Sequence, residues 1–142
     1  NGADSVNNFK TDGAAGDVLD FTAFLGGAAQ LVAATNFVTA GVNLTGAGDN
    51  VAVAFNKGAL TVADITTAAA ANRVAIADNG KAVVLVSADS NGAADATINP
   101  YHVYYVEDVD ATGAQSWQVT LVGTINSTAE LVAADWVGAN FA

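Results

Sequence analysis

The chain of 142 residues has no cysteine, no methionine and one proline, and only four lysine and arginine residues against fourteen aspartates and glutamates. Without thiols, the fold uses neither disulfides nor cysteine-bound metals. The formal net charge of −10 repels phosphate backbones and anionic lipid surfaces, which excludes nucleic acid as a partner. No apolar run is long enough to cross a bilayer, so membrane insertion is not expected. The charge favours divalent cations instead.

Alanine and valine dominate the apolar residues, which make up 52% of the chain. Such small and β-branched side chains suit the packed faces of sheets. The length is enough for one domain with a hydrophobic core and short for two. Because the sequence contains no methionine, we expect it to be an excised or processed piece of a longer protein. It begins with no basic-then-apolar leader, so we expect any export address to lie elsewhere than at the front.

Glycine, asparagine, aspartate and threonine interrupt valine-rich runs about every ten residues, which is typical of short strands joined by turns. The Asn-Gly pair at 79–80 predicts one β-hairpin, and the acidic loop 109–115 predicts a second. The sequence therefore predicts a mainly β fold of antiparallel sheets, arranged as a sandwich or a β-roll cap. The predicted strands are 17–21, 50–56, 73–78, 81–89, 102–108 and 116–123.

Two segments carry helix signals. Segment 61–72 starts with Thr61 and Asp64 in the positions of a capping box and continues with alanines. Segment 127–137 has the same capping-box pattern at Ser127 and Glu130, and its apolar residues could cover one sheet face. We therefore expect two short helices, and we interpret 22–34 as a short helical turn followed by a loop.

The first residues, Asn-Gly-Ala-Asp-Ser-Val at 1–6, match the second part of the calcium-binding nonapeptide G-G-x-G-x-D-x-U-x. A longer pattern follows, made of Val6, Phe9, Gly16, Asp17, Leu19, Asp20, Phe21 and Thr22. Residues 104–123 add a strand, an acidic turn with a glycine, and a second strand of the form V-x-L-x-G. On these residues the chain resembles the C-terminal module of a bacterial RTX-type protein exported by a type I secretion system. The likeness is poor through the middle of the chain.

The resemblance implies a single, non-catalytic domain of a secreted or cell-surface protein with calcium as cofactor. Residues 1–25 would end a β-roll and supply a capping strand, 73–123 would form antiparallel hairpins, and 124–142 would hold a C-terminal helix and the secretion signal. The implied partners are the upstream β-roll of the same chain and the type I secretion transporter, which reads the C-terminus.

Within this C-terminal signal, the residues that we single out are Glu130, Asp135, Trp136 and Phe141. The segment combines two acids with an amphipathic pattern and a small apolar end. A terminal helix packed on a sheet would show the same pattern, so the residues alone leave both interpretations open.

Three places offer oxygen ligands for calcium, and their residues are Asp4; Asp89, Asn91 and Asp95; and Asp108 and Asp110. The first belongs to the nonapeptide match, whose partner turn would lie upstream. The second resembles the first half of an EF-hand loop but lacks its final glutamate. The third places several carboxylates beside a glycine, where they repel one another unless a cation or solvent intervenes. Ordinary turns and a solvated hairpin tip are the alternatives.

Catalysis is not expected. Asp17 and Asp20 form a carboxylate pair, but capping hydrogen bonds explain such a pair without acid–base chemistry. The single histidine, His102, lies within a predicted strand and is interpreted as a structural residue rather than a ligand. The rival interpretation is a self-assembling surface-layer or adhesin module, in which copies of the chain contact one another and calcium bridges acidic loops.

Overall fold

The computed structural model describes residues 3–11, 16–90, 92–110 and 115–142. This part of the chain is mainly β and sandwich-like, with its strands in two sheets. The large sheet contains, in spatial order, β1 (Asp4–Asn7), β9 (Trp117–Asn126), β8 (Tyr101–Asp108), β7 (Lys81–Ser87), β4 (Val51–Phe55) and β2 (Leu31–Asn36). The small sheet contains β3 (Val42–Leu44), β6 (Val74–Ile76) and β5 (Ile65–Thr66).

Both parallel and antiparallel pairs occur. The predicted hairpin of β8 and β9 is confirmed, and β8 also pairs antiparallel with β7. The remaining pairs are parallel, including β1 with β9 and all those of the small sheet. The antiparallel prediction thus holds only around β8. Between β2 and β4, and again between β4 and β7, the chain leaves the large sheet to form strands of the small sheet. It then returns to the large sheet, and such crossover connections join strands that run in the same direction.

The Asn-Gly pair at 79–80 does not form the predicted hairpin. β6 before it belongs to the small sheet and β7 after it to the large sheet. The Gly80 amide donates to the Ala77 carbonyl oxygen at 2.9 Å, and Asn79 has a φ of 56°. Gly80 does not share that positive φ, whereas the usual hairpin turn at such a pair needs it at both residues. The turn therefore carries the chain from one sheet to the other.

The central strands of the large sheet, β4, β7 and β8, are covered on both faces. One face packs against the small sheet through Ala52, Ala54, Val84, Val86, Tyr104 and Val106. The other packs against both ends of the described chain through Val51, Val53, Phe55, Val83, Leu85, Tyr101 and Val103. Strands buried on both faces are continuous apolar runs, as in β4 and β7, and this pattern is typical of parallel strands.

The predicted helix at 61–72 is wrong. Its capping contact forms, with the Thr61 amide and hydroxyl donating to Asp64 Oδ2, but only a 3₁₀ turn at Val62–Asp64 follows. The chain then enters β5, where Ile65 is buried beside β6. The alanines that follow offer too little apolar surface to hold an amphipathic helix against the core.

The predicted helix at 127–137 is wrong for a different reason. Only 3₁₀ turns form, at Ala133–Asp135 and Gly138–Asn140. Leu131 and Trp136 are both buried, yet five positions of an α-helix would place them about 140° apart around the axis. An irregular path buries both side chains in the same core.

The first part of the chain follows its prediction in outline. A single helical turn, α1 (Thr22–Leu25), precedes a loop, although β2 then begins at Leu31 inside the predicted loop. The predicted strand at 17–21 is reduced to one parallel bridge between Leu19 and Phe141. Within the described residues, no helix is long and apolar enough to cross a membrane.

Candidate functional site: an acidic cluster beside the C-terminal segment

Three carboxylates meet where the loop after β7 approaches the end of the chain. Asp89, Asp95 and Glu130 each place one oxygen so that the three atoms lie within 4.8 Å of one another. Asp89 and Asp95 belong to the connection between β7 and β8, and Glu130 follows β9. We call these three residues the acidic cluster.

Backbone amides hold two of these carboxylates in place. Glu130 Oε2 accepts hydrogen bonds from the amides of Asp95 at 3.0 Å and Ala96 at 2.8 Å, and Oε1 accepts from Asp95 at 2.8 Å. Asp89 Oδ1 accepts from the Gly92 amide at 2.7 Å, and Asp89 is only 4% exposed. Ala96 adopts a left-handed φ of 66°, a conformation that costs an alanine about 1–2 kcal/mol. The loop is therefore tightly held around the carboxylates.

The donor atoms of the acidic cluster are of the kind that hard cations take. All three ligands are carboxylate oxygens, which a hard cation prefers, and Ca–O distances of about 2.3–2.6 Å place opposite ligands about 5 Å apart. The three oxygen atoms lie within 4.8 Å of one another, so they do not exceed that span. The hydroxyl and amide of Thr97 hold the pKa of Asp95 below its ordinary value, so this carboxyl is ionised at neutral pH. Ionised carboxylates this close repel one another, and a divalent cation would relieve the repulsion.

The sequence predicts Asp89 and Asp95 as ligands, and it predicts Glu130 only as part of the secretion signal, so it misses the third member of the acidic cluster. Asn91, predicted with them, lies outside the described residues. A usable signal for Glu130 was present in the predicted hairpin. Tyr101 at the start of β8 pairs with Ile125 near the end of β9, so the residues before β8 must meet those after β9.

The other predicted ligands lie apart from the acidic cluster. Asp4 is exposed on β1, with Gly123 of β9 as its Cα partner. In the part of the chain that the structure describes, none of Asp4, Asp108 and Asp110 belongs to a group of three acids close enough to share an ion.

Asp108 has a structural role at the hairpin loop. Its Oδ1 accepts from the amides of Ser116 at 2.9 Å and Asp110 at 3.2 Å, and its Oδ2 accepts from that of Asn79 at 3.3 Å. These hydrogen bonds hold the pKa of Asp108 below its ordinary value, and the bond from the Ser116 amide contributes most. The carboxylate thereby ties the loop after β8 to the turn between β6 and β7.

The C-terminal segment, residues 127–142, is part of the core rather than an appendage. Trp136 is 4% exposed, and its ring centroid lies 5.6 Å from that of Phe9, 4.9 Å from that of Tyr101 and 5.9 Å from that of Phe141. Phe141 is 6% exposed and also stacks on Phe21. Of the predicted signal residues, the two aromatic ones are thus buried.

Hydrogen bonds to its main chain hold the same segment near both of its ends. The Leu19 amide donates to the Asn140 carbonyl oxygen at 2.8 Å, and the Ala142 amide donates to that of Leu19 at 3.0 Å. Nearer β9, the buried Tyr101 hydroxyl donates to the Leu131 carbonyl oxygen at 2.7 Å. Burial raises the pKa of Tyr101 far above its ordinary value, so the hydroxyl stays protonated as a donor.

Comparison with protein-family models, with curated proteins and with solved structures finds no match. The resemblance to an RTX-type C-terminal module therefore depends on the sequence motifs of residues 1–25 and 104–123.

The remaining candidates behave as structural residues. Asp17 Oδ2 accepts from the Lys10 amide at 2.9 Å, and Asp20 Oδ1 accepts from the Thr22 amide at 2.9 Å. The first bond joins residues seven positions apart and the second joins residues two positions apart, and neither is a side-chain cap of α1, whose N-cap is Phe21. His102 is half-buried in β8, where its Cα partners are Val86 and Thr124.

Proposed function

We propose that the chain is the non-catalytic C-terminal capping and export module of a calcium-dependent extracellular bacterial protein. The observation that carries the proposal is the place of β1, which contains the last three residues of the nonapeptide match, Asp4, Ser5 and Val6. β1 pairs in parallel with β9 as the last strand of the large sheet, so its other edge can continue a sheet built by an upstream β-roll. The exposed edge strand of a sheet pairs with other chains unless it is covered, and a capping module would prevent such pairing.

Export is tested by fusing the chain to a tagged passenger in a host that carries a type I transporter for RTX proteins. We expect the fusion to reach the medium and a version lacking residues 127–142 to stay inside. Since that deletion also removes core residues, Val84→Asp is the control. It places a charge in the fully buried face toward the small sheet and leaves residues 127–142 intact.

Two results would contradict the export role. The full fusion would stay inside the cell while an accepted substrate of that transporter is secreted. Alternatively, the shortened fusion would be secreted as well as the full one. Retention of the Val84→Asp fusion together with the shortened one would indicate that folding, rather than the C-terminal sequence, controls export.

Calcium is the proposed cofactor, and the acidic cluster is where we expect it to bind. Extracellular calcium sites have dissociation constants of about 10⁻⁴–10⁻³ M, so 10 mM calcium is about 10 to 100 times that value. Binding to the folded state alone then adds about 1.4–2.7 kcal/mol, or roughly 3–10 °C in melting temperature. We expect Asp95→Asn to lose most of this shift, because the amide keeps the Thr97 contact but loses the charge.

The calcium measurement is thermal unfolding with and without the ion, with magnesium as the comparison. Asp4→Asn serves as the matched control, because Asp4 is exposed and lies apart from the cluster, and this variant should keep the full shift. Equal shifts in Asp95→Asn and the parent chain would place the ion elsewhere, and no shift in the parent chain would remove calcium from the proposal.

The second candidate function is a self-assembling surface-layer or adhesin module. It is favoured by the two edge strands of the large sheet, β1 and β2, which carry the exposed side chains Val6 and Val32 and have one partner strand each in the described chain. Sedimentation during the calcium titration separates the two functions. Growth of large, calcium-dependent assemblies favours the lattice role, and a monomer at every calcium concentration disfavours it.

A further inference from the structure

The cover on one face of the large sheet stops short of β9 and β1 and leaves an open groove of about 440 Å³. Apolar residues from β1, from the segment before α1, and from β8 and β9 line it, and Val6 among them is 40% exposed. At Gly123 of β9 no side chain fills the space. The apolar lining residues are Val6, Leu19, Phe21, Val103, Val122 and Ile125. An exposed apolar hollow of this kind is the usual form of a binding site.

The charge of the groove is negative. Asp4 lines it together with Val6, because alternate residues of β1 face the same side, and Ser5 between them faces away. The charge of Asp20 reaches the groove as well. Burial, and then the charge of Asp20, raise the pKa of Tyr105, which lines the groove. No basic residue of the described chain lines it, so the groove suits an apolar surface that carries a cation.

The chain itself has such a surface at one end of the small sheet. Two loops meet there, residues 37–41 before β3 and residues 67–73 before β6, and we call them together the double loop. The Asn72 amide donates to the Phe37 carbonyl oxygen at 3.0 Å, which holds the two loops together. Val38 is 43% exposed, and every residue of 67–73 is exposed, four of them alanines. The double loop is thus an ordered surface of small apolar side chains.

Arg73 supplies the cation of the double loop. Its guanidinium Nη1 donates to the Asn72 carbonyl oxygen at 2.9 Å. The ion pairs of the described residues use Lys57 and Lys81, and Arg73 takes part in neither. An exposed guanidinium without a carboxylate partner in its own chain can pair with a carboxylate of another.

The groove and the double loop lie on opposite faces of the large sheet. Val103 and Ile125 of the groove belong to the core under the two chain ends, whereas Phe37 and Val74 at the double loop belong to the core under the small sheet. A contact between the two surfaces therefore joins two copies of the chain. Because the surfaces differ, the contact is head-to-tail, and each pair of copies keeps a free groove at one end and a free double loop at the other.

We infer that the groove of one copy binds the double loop of a second copy, with Arg73 of the second copy paired to Asp4 of the first. The inference rests on the second candidate function, self-assembly, and names the contact by which it occurs. Repetition of a head-to-tail contact builds open chains or rings, which is what a surface lattice needs.

The test is sedimentation equilibrium of the whole chain up to about 1 mM, at about 0.15 M salt, where charges more than about 8 Å apart are largely screened. The parent chain is compared with Asp4→Arg, with Arg73→Asp, with the chain carrying both changes, and with an equimolar mixture of the two single variants. Each single variant alone places like charges at the contact, whereas the double variant and the mixture place opposite charges there. Circular dichroism checks that every chain is folded.

We expect each single variant to associate at least about tenfold more weakly than the parent chain, because like charges at an interface are strongly unfavourable. The double variant and the mixture should recover association to within about threefold of the parent chain. Net charge alone predicts the opposite for Asp4→Arg, because this change takes the charge from −10 to −8 and reduces the repulsion between copies.

A matched pair on β1 tests the apolar part of the contact. Val6→Lys places an ammonium group in the groove, and Ser5→Lys adds the same charge on the opposite face of the same strand. We expect Val6→Lys to weaken association at least about tenfold and Ser5→Lys to change it by less than about threefold. Equal effects of the two lysines would overturn the groove as the docking surface.

The outcomes separate the contact from the function. Assembly of the parent chain that persists in both charge reversals overturns this contact and leaves self-assembly standing. Loss of association in the single variants without recovery in the double variant or the mixture also overturns it, because Asp4 and Arg73 then do not face each other. A parent chain that stays monomeric at every concentration, with and without calcium, overturns both the contact and self-assembly.

Discussion

Replacing Trp136 by alanine is expected to lower the free energy of unfolding by about 3–5 kcal/mol, the usual cost of removing a buried tryptophan side chain. The expected cost is high because the indole ring packs against Phe9, Tyr101 and Phe141, which come from three parts of the chain. Few neighbouring atoms can relax into the space, because these rings are themselves buried. The loss is a large share of the 5–15 kcal/mol that stabilises a typical domain.

The measurement is urea unfolding followed by tryptophan fluorescence and circular dichroism, with the slope m compared between chains. Val137→Ala is the control, because Val137 is adjacent in sequence but exposed, and it should change the free energy by less than about 0.5 kcal/mol. If Trp136→Ala costs no more than Val137→Ala, residues 127–142 are not anchored in the core.

Strand positions could be predicted more reliably than strand directions. The runs that became β4, β7, β8 and β9 stand out because valine and aromatic residues suit sheets. Their pairing could not be predicted from turn residues alone, since the Asn-Gly pair at 79–80 permits a hairpin but does not require one. The better indicator was the continuous apolar run of β4, with no polar alternation. It indicates a strand covered on both faces, as parallel strands are.

The helix prediction at 61–72 failed because capping signals act locally. Thr61 and Asp64 make the predicted capping contacts, which are enough to begin a helical turn. Continuing the helix needs an apolar stripe that can be buried, and the alanines after Ile65 do not provide one. A local start signal without such a stripe produces only a 3₁₀ turn.

Two of the three residues of the acidic cluster could be predicted from the sequence. Asp89 and Asp95 are close in sequence, so a loop with oxygens at several positions could be recognised directly. Glu130 comes from a segment 35 residues away, and its approach depends on the register of β8 on β9. Recognising Glu130 requires one further inference from the predicted hairpin of β8 and β9. The residues just before β8 and those just after β9 lie side by side at its open end.

Removing the ammonium group of Lys57 is expected to destabilise the domain by about 2 kcal/mol at neutral pH. Lys57 Nζ lies 2.7 Å from Asp64 Oδ1, and Asp64 is 8% exposed. Breaking a fully buried pair costs about 3–5 kcal/mol because it leaves an unpaired charge, and the partial exposure of Lys57 lowers that value. The ammonium also lies 4.8 Å from the centroid of the Phe37 ring, a contact that Lys57→Met loses as well.

The cost should depend on pH with a defined sign. Burial acts to raise the pKa of Asp64, but the hydrogen bonds from Lys57 and Thr61 outweigh it and leave the pKa below its ordinary value. A carboxyl with a lowered folded-state pKa contributes stability above its unfolded pKa of about 3.9, and this is lost as the pH falls through the folded value. The cost of Lys57→Met should therefore be greatest near pH 7 and shrink below about pH 4, where protonation of Asp64 removes the unpaired charge.

Urea unfolding of Lys57→Met at pH 7 and pH 3.5 measures this dependence. Lys81→Met is the matched control, because Lys81 lies 3.8 Å from Glu107 in an exposed pair and should cost less than about 1 kcal/mol at either pH. A cost for Lys57→Met that stays the same at both pH values would mean that packing on Phe37, rather than the charge of Asp64, holds this residue in place. Equal costs for the two lysines would mean that the Lys57–Asp64 pair is screened like a surface pair, despite the burial of Asp64.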